Sequence, residues 1–172
     1  IAAQYRDGKN PPAWVGMDVW GATICFNTVE AAKRSIPKPE TWKDLTKREY
    51  KGQIVMPHPA SSGTGFFDVT AWLQLYGEAE GWKFMDGLHE NVAQYMHSGS
   101  RPCATAANGE YALGISFEYR ANREKAQGKP IDLVTHNQPG AVMDIMGRLI
   151  ADIVQKEKLL DQPIVVVNKP GA

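Results

Sequence analysis

Hydrophobic and polar positions along the chain change period several times, and each change marks an element. Residues 1–16 are polar, rich in Pro and Gly, and follow no clean period. Trp20–Phe26 (WGATICF) is β-branched, aromatic and small, which predicts a strand. Thr28–Arg34 predicts a short helix, broken by Pro37-Lys38-Pro39. Glu40–Tyr50 reads as short helix and turn, with Thr41 placed to cap. Gln53–Met56 predicts a second strand. After the loop Pro57–Gly65, the apolar residues Phe66, Val69, Leu73 and Tyr76 recur on one helical face, and Gly77 ends that helix. Glu78–Val92 predicts another helix, with Trp82, Met85, Leu88 and Val92 on one side and Trp72 and Trp82 in the core. Gln94–Met96 is a short strand.

The pattern then repeats. A Ser-Gly-Ser loop at 98–100 leads to Pro102 in the first turn of an Ala-rich helix that Gly109 stops. Tyr111–Ser116 predicts a strand, Glu118–Gln127 a helix and Ile131–Val134 a strand. Thr135–Gly140 is a loop. Val142, Ile145, Met146, Leu149, Ile150, Ile153 and Val154 form the cleanest amphipathic stripe in the chain, followed by a strand at Ile164–Val167. Short strands alternating with helices predict an α/β fold with a mainly parallel sheet and flanking helices. Ligands of such sheets sit beyond the carboxyl ends of the strands.

Composition narrows the function. The 172 residues carry 19 basic and 19 acidic side chains, a formal net charge of zero. That gives no footing for nucleic acid or an anionic membrane surface as partner. The longest purely apolar run is Ile164–Val167, so no membrane insertion is expected. Cys25 and Cys103 are too few for a zinc site of the paired-cysteine type. The sequence leaves their state open between a disulfide and two buried thiols, with thiols the favoured reading. The chain starts at Ile1 without Met and stops just after an apparent strand, so it reads as a piece of something longer.

Three strand–loop–helix junctions share one chemistry. They are Pro59–Gly65, with Ser61, Ser62, Gly63 and Thr64; His97–Ser100, with Ser98 and Ser100; and Gln138–Ala141, with Pro139 and Gly140 as a secondary anion loop. Glycines admit a ligand to the backbone, the following helix offers unpaired N–H groups, and hydroxyls add donors. N-capping is the competing role for each Ser and Thr, and it weighs most at Ser98 and Ser100. Glu118 and Tyr119 follow a strand end and suit a ligand ammonium, though Glu118 is equally a first-turn helix acid. Trp14 and Trp20 flank an expected hinge. There is no Gly-Lys-Ser/Thr phosphate loop, no GxGxxG and no GxSxG, so no catalytic residue is assigned. His58, His89, His97 and His136 lack metal-ligand spacing and read as loop or surface residues, and no metal or cofactor is expected.

The segments PPAWVGMDVWGATICFN, YKGQIVMPHPASSGTGFFDVTAWLQLYGE and GWKFMDGLHENVAQYMHSGSRPCATAANGEYALGISFEYRA resemble the second part of a periplasmic solute-binding protein of an ABC transporter. The branch they resemble binds 2-aminoethylphosphonate and is related to ferric-ion binders. The resemblance implies the type II periplasmic-binding-protein fold, two lobes closing on a solute, with a first lobe expected upstream. Residues 1–19 are then hinge or linker and 20–134 the second lobe. It also implies a small anionic solute held by Ser61, Ser62, Gly63 and Thr64, with Ser98 and Ser100 adding donors, and a membrane permease as partner. Where ferric-ion binders carry paired tyrosines this chain has Glu118-Tyr119, which favours an amine-bearing ligand over iron. Residues 131–172, ending VVVNKPGA, instead resemble the first βαβ unit of the solute-binding subunits of tripartite tricarboxylate transporters, so 135–172 forms a tail of that type. That resemblance implies a small carboxylate at Pro139-Gly140. An α/β enzyme acting on a phosphorylated substrate is the competing class.

Overall fold

A computed structural model describes residues 6–16, 20–134 and 156. Five strands form one sheet, ordered β3-β2-β4-β1-β5. They are β1 (Ala22–Asn27), β2 (Ile54–Pro57), β3 (Val92–Met96), β4 (Leu113–Phe117) and β5 (Ile131–Val134). The helices are α1 (Thr28–Lys33), α2 (Gly63–Tyr76), α3 (Glu78–His89), α4 (Arg101–Ala107) and α5 (Glu118–Ala126), with two 3-10 turns at Trp42–Thr46 and Arg48–Tyr50. β2 runs parallel to β3 and β4, whereas β1 is antiparallel to both β4 and β5. Four strands therefore point one way and β1 alone points back. The expected α/β architecture with flanking helices is present, but the sheet is mixed: two of its four pairings are parallel and two antiparallel.

The strands are short, apolar runs because the sheet is covered on both faces. Alternate residues of β1 show this. Ile24 and Phe26 join the cluster of Trp42, Leu45, Trp72, Phe84 and Leu88 on one face. Cys25 faces the other way, among Cys103, Ala107, Ala121 and Ile131 beneath α4 and α5. Cys25 and Cys103 are joined by a disulfide with Cα atoms 5.4 Å apart. This corrects the favoured reading of two thiols: the sheet brings together residues 78 positions apart, a proximity no local pattern carries.

Local signals mostly hold. Thr41 forms a capping box with Asp44, Ser62 caps α2, and Gly77 ends α2 at φ 77°. The predicted buried faces of α2 and α3 need correction. α2 buries Gly65, Asp68 and Trp72, while Phe66 is 63% exposed. α3 buries Gly81, Phe84 and Leu88, while Trp82 is 49% exposed and not core. The physical reason is close approach. Gly65 seats the first turn of α2 on the end of β2, where an added Cβ would lie 2.6 Å from the Pro57 carbonyl oxygen. Gly81 likewise lets α3 reach Leu73 of α2. The glycines set the approach, Trp72, Phe84 and Leu88 fill the face so defined, and of the expected stripes Leu88 is buried while Tyr76, Met85 and Val92 pack partly on the core.

Gly114 does the same for α4. A Cβ there would lie 2.3 Å from the Pro102 carbonyl oxygen and 2.6 Å from its carbon, both backbone. Gly114→Ala is expected to destabilise the lobe by about 2 kcal/mol, because rigid backbone must move. Urea denaturation checks this, and an unchanged midpoint would refute the close packing of α4 on β4.

Candidate functional site

β2, β3 and β4 are parallel, so their carboxyl ends and the loops that follow share one edge of the sheet. β1 is antiparallel and begins at that edge, with Ala22 opposite Phe117. β5 ends there, with Val134 opposite Ile24. The chain thus enters and leaves the lobe on the side where the Ser/Gly/Thr loops collect.

The loop between β2 and α2 is folded on itself. The N–H groups of Ser61 and Ser62 both donate to the His58 carbonyl oxygen, and the first intrahelical bond runs from the Phe66 N–H to the Ser62 carbonyl. The N–H groups of Gly63 and Thr64 lie ahead of that bond and point out of the helix start. The Ser62 hydroxyl accepts from the Gly65 N–H at 3.5 Å, a weak cap. α2 has 14 residues and no acidic residue in its first turn, so its positive end is uncompensated there.

The loop between β3 and α4 packs directly on this one. A Cβ on Gly99 would lie 2.1 Å from the Thr64 hydroxyl oxygen and 3.5 Å from the Phe117 ring. Only glycine lets the two loops touch. The Ser116 hydroxyl donates to the Gly99 carbonyl at 2.6 Å and fixes that loop on β4. His97 and Ser61 are also bonded, Nδ1 to Oγ at 2.6 Å. Ser98 and Ser100 face each other at 3.3 Å, and the Ser98 hydroxyl accepts the Arg101 N–H.

Beside the contact between Gly99 and Thr64 lies an aromatic corner. Trp20 packs 4.8 Å from Phe67 and 6.0 Å from Phe117, centroid to centroid. Glu118 follows Phe117. Its backbone N–H donates to the Gly21 carbonyl, and its carboxylate accepts the Gly21 N–H. Burial raises the Glu118 pKa from its ordinary value, and the Gly21 N–H opposes that shift.

Most of the residues singled out in the sequence therefore fall on one edge. Ser61–Thr64 and Ser98–Ser100 meet through Gly99 and Thr64, and Glu118 stands at the same edge tied to the start of β1. Tyr119 is 64% exposed and is not drawn into these contacts. Trp14 is exposed on the entering segment. Pro139 and Gly140 lie outside the described residues, as does nearly all of the 135–172 tail. Sequence reasoning placed His97 and Gly99 in the second junction and read His58 and His97 as loop or surface residues, which they are, but gave the histidines no role and passed over Phe67 and Phe117. The signal for the histidines was present: each directly follows the last residue of a parallel strand, where ligands of such sheets sit. Among the described residues no group of three or more His, Cys, Asp or Glu could hold a metal ion, and no helix is long and apolar enough to cross a membrane.

Comparisons with known proteins agree with this architecture. Residues 2–164 match the family model described as bacterial extracellular solute-binding protein. An uncharacterized protein of Haemophilus influenzae is 39% identical over 137 residues, 78% of this chain and 40% of the relative. Among solved structures, the periplasmic binding protein AfuA from Actinobacillus pleuropneumoniae, with fructose-6-phosphate bound, is 34% identical with a TM-score of 0.66. That match covers 76% of this chain and 44% of AfuA. Apo ferric ion-binding protein A of Pasteurella haemolytica, 20% identical with a TM-score of 0.61 over 78% of this chain and 43% of its own, shares the fold. This chain therefore spans less than half the length of these relatives. It belongs to the bacterial extracellular solute-binding protein family.

Proposed function

We propose that residues 20–134 are one lobe of a periplasmic solute-binding protein, joined through residues 1–19 and the end of β5 to a second lobe. The protein captures a small organic solute by its phosphate or phosphonate group and delivers it to a membrane permease of the ABC type. The observation that carries this reading is the contact between Thr64 and Gly99, which assembles two hydroxyl-bearing loops beside the start of α2. N–H groups of Gly63 and Thr64, the hydroxyls of Ser61, Ser62 and Thr64, and the helix dipole suit a tetrahedral anion. The entry and exit of the chain at the same edge suit a hinge, so that closure of a second lobe buries the solute. Family membership supports transport over catalysis; the bond between Ser61 and His97 would serve an enzyme too, but Ser61 stands in no GxSxG turn.

The rest of the solute is best read as a sugar. Trp20, Phe67 and Phe117 present an apolar corner of mutually inclined rings beside the loops, and the Glu118 carboxyl offers a hydroxyl partner. The Glu118 carboxyl, tied to the Gly21 N–H, accepts a hydroxyl's hydrogen bond without needing a cationic partner. A 34%-identical relative was solved with fructose-6-phosphate. The second reading is 2-aminoethylphosphonate, favoured by the same carboxylate in its ionised form. A small carboxylate at Pro139-Gly140 rests on sequence resemblance alone.

Titration calorimetry with fructose 6-phosphate, 2-aminoethylphosphonate and unphosphorylated fructose tests this. The phosphorylated sugar is expected to bind best and fructose not at all. Ser62→Ala combined with Thr64→Ala is expected to weaken binding about tenfold or more, since a hydrogen bond to a charged group contributes roughly 1.5–3 kcal/mol. Equal affinity in that variant refutes the anion loop. Tighter binding of the aminophosphonate replaces the sugar reading and leaves the loop standing.

A further inference from the structure

Three of the four histidines and one tyrosine form a continuous row of rings beside the anion loop, a feature the capture of an anion by N–H and hydroxyl groups does not use. His97 stacks on His58 with centroids 5.5 Å apart and planes inclined by 24°. His58 meets the Tyr95 ring edge-on at 5.9 Å. Tyr95 stacks on His89 at 5.7 Å and its hydroxyl bonds His89 Nδ1 at 2.9 Å. Only the first pair touches the loop: His97 Nδ1 is bonded to Ser61, and His58 Nδ1 accepts the Ala60 N–H at 3.1 Å.

We infer that the stacked imidazoles of His58 and His97 make solute capture pH-dependent, so that the loop Ser61–Thr64 holds an anion more tightly when the rings are protonated. The inference rests on the anion-binding reading and deepens it. Imidazole is the side chain that changes charge near neutral pH. Two protonated rings in a stack repel each other unless a counter-charge lies close. Among the described residues none is bonded to either ring: Glu118, at the same edge, is tied to the Gly21 N–H instead. β3 brings Tyr95, whose phenol burial pushes further from ionisation. The end of α3 brings His89 behind it. α2 brings Gly65 against the His58 backbone and, one turn on, Asp68, whose carboxyl burial holds neutral far above the usual range. The first turn of α4 brings the cationic Arg101. Every ion pair among the described residues is made by lysine or arginine, so no carboxylate of theirs neutralises either ring. An anion seated at Ser61–Thr64 becomes the missing counter-charge. Proton binding and anion binding then strengthen each other reciprocally. Protonation of His58 Nδ1 ends its bond from the Ala60 N–H, but Ala60 is exposed and water takes over.

Sulfate is the probe, because it remains a dianion throughout the range in which imidazole titrates. Its affinity for the full 172-residue chain is read by NMR at the Gly63 and Thr64 amides, at about pH 5.5 and about pH 8.5. The expected dissociation constant is roughly threefold to tenfold lower at the acid pH, the size of effect that one or two charges at side-chain distance exert between surface and bulk-water dielectric. In the double variant His58→Gln/His97→Gln the ratio between the two pH values falls to about one. The single variants each fall between, which keeps the test usable if the double variant does not fold. His89→Gln, on the far side of Tyr95, keeps the full ratio. A ratio of one in the unaltered chain, with binding still lost in Ser62→Ala/Thr64→Ala, overturns the inference and leaves the anion loop intact. So does a ratio that survives both histidine replacements. No shift of the Gly63 and Thr64 amides at either pH overturns the anion reading and this inference with it.

Discussion

Replacing Cys25 and Cys103 together by alanine is expected to lower the stability of the lobe by about 4 kcal/mol, the largest single effect we anticipate. The disulfide closes a loop between residues 78 apart, and a cross-link of that span removes that much conformational freedom from the unfolded chain. Both cysteines are fully buried, so the vacated sulfur volume adds a cavity cost. A thermal midpoint lower by about 10 °C is expected in a chain of this size. Thermal denaturation of the oxidised and reduced chain and of the double alanine variant checks this. Coincident curves for oxidised and reduced protein would refute it. The effect reaches the site as well, because the bond ties α4, and with it the loop Ser98–Ser100, to strand β1.

Asp68 carries the second large effect. It lies in the middle of α2, is 1% exposed, and neither carboxylate oxygen has a hydrogen-bond partner among the described residues. Burial therefore raises its pKa well above the usual value of 3.8. In the pH range between the unfolded and folded pKa values the folded chain holds a proton that the unfolded chain releases. Stability falls as pH rises through that range, and below about pH 4 the penalty disappears. Asp68→Asn removes the titration. The variant is expected to be more stable than the parent by about 3 kcal/mol at pH 8, the scale of an uncompensated buried charge. At about pH 4 the advantage vanishes, because the amide also lacks partners. Urea denaturation of both chains across this pH range decides it. A stability difference independent of pH would show that Asp68 is ionised in the fold as it is in the unfolded chain, and so paired there.

The two residues also show where sequence reading stops. Asp68 was invisible as a buried acid because the apolar stripe Phe66, Val69, Leu73 and Tyr76 competes for the same helix. Which stripe wins is decided by Gly65 and Gly81, whose missing side chains let α2 and α3 approach their neighbours. Cys25 and Cys103 each sit in a recognisable element, but their pairing follows from α4 crossing the back of β1. The candidate site was half legible. Ser61–Thr64 and Ser98–Ser100 stand out as clustered small polar residues at strand ends, a local signal. Glu118 was found with an uncertain role, and the structure ties its carboxylate to the Gly21 N–H. His58 and His97 were read as isolated because residues 39 positions apart in sequence only become a stack once β2 and β3 lie side by side.

By itself the sequence determined most elements and their order: short apolar runs between Pro, Gly and Ser breaks, Thr41 as a cap, Gly77 as a stop. These depend on backbone sterics and on hydrogen bonds a few residues long, which the chain carries locally. The tertiary structure alone decided the direction of β1, the buried faces of α2 and α3, the disulfide, the solitary burial of Asp68, and the meeting of Thr64 with Gly99. Each of those depends on groups far apart in the chain coming within a few ångströms, and only the packed sheet brings them there.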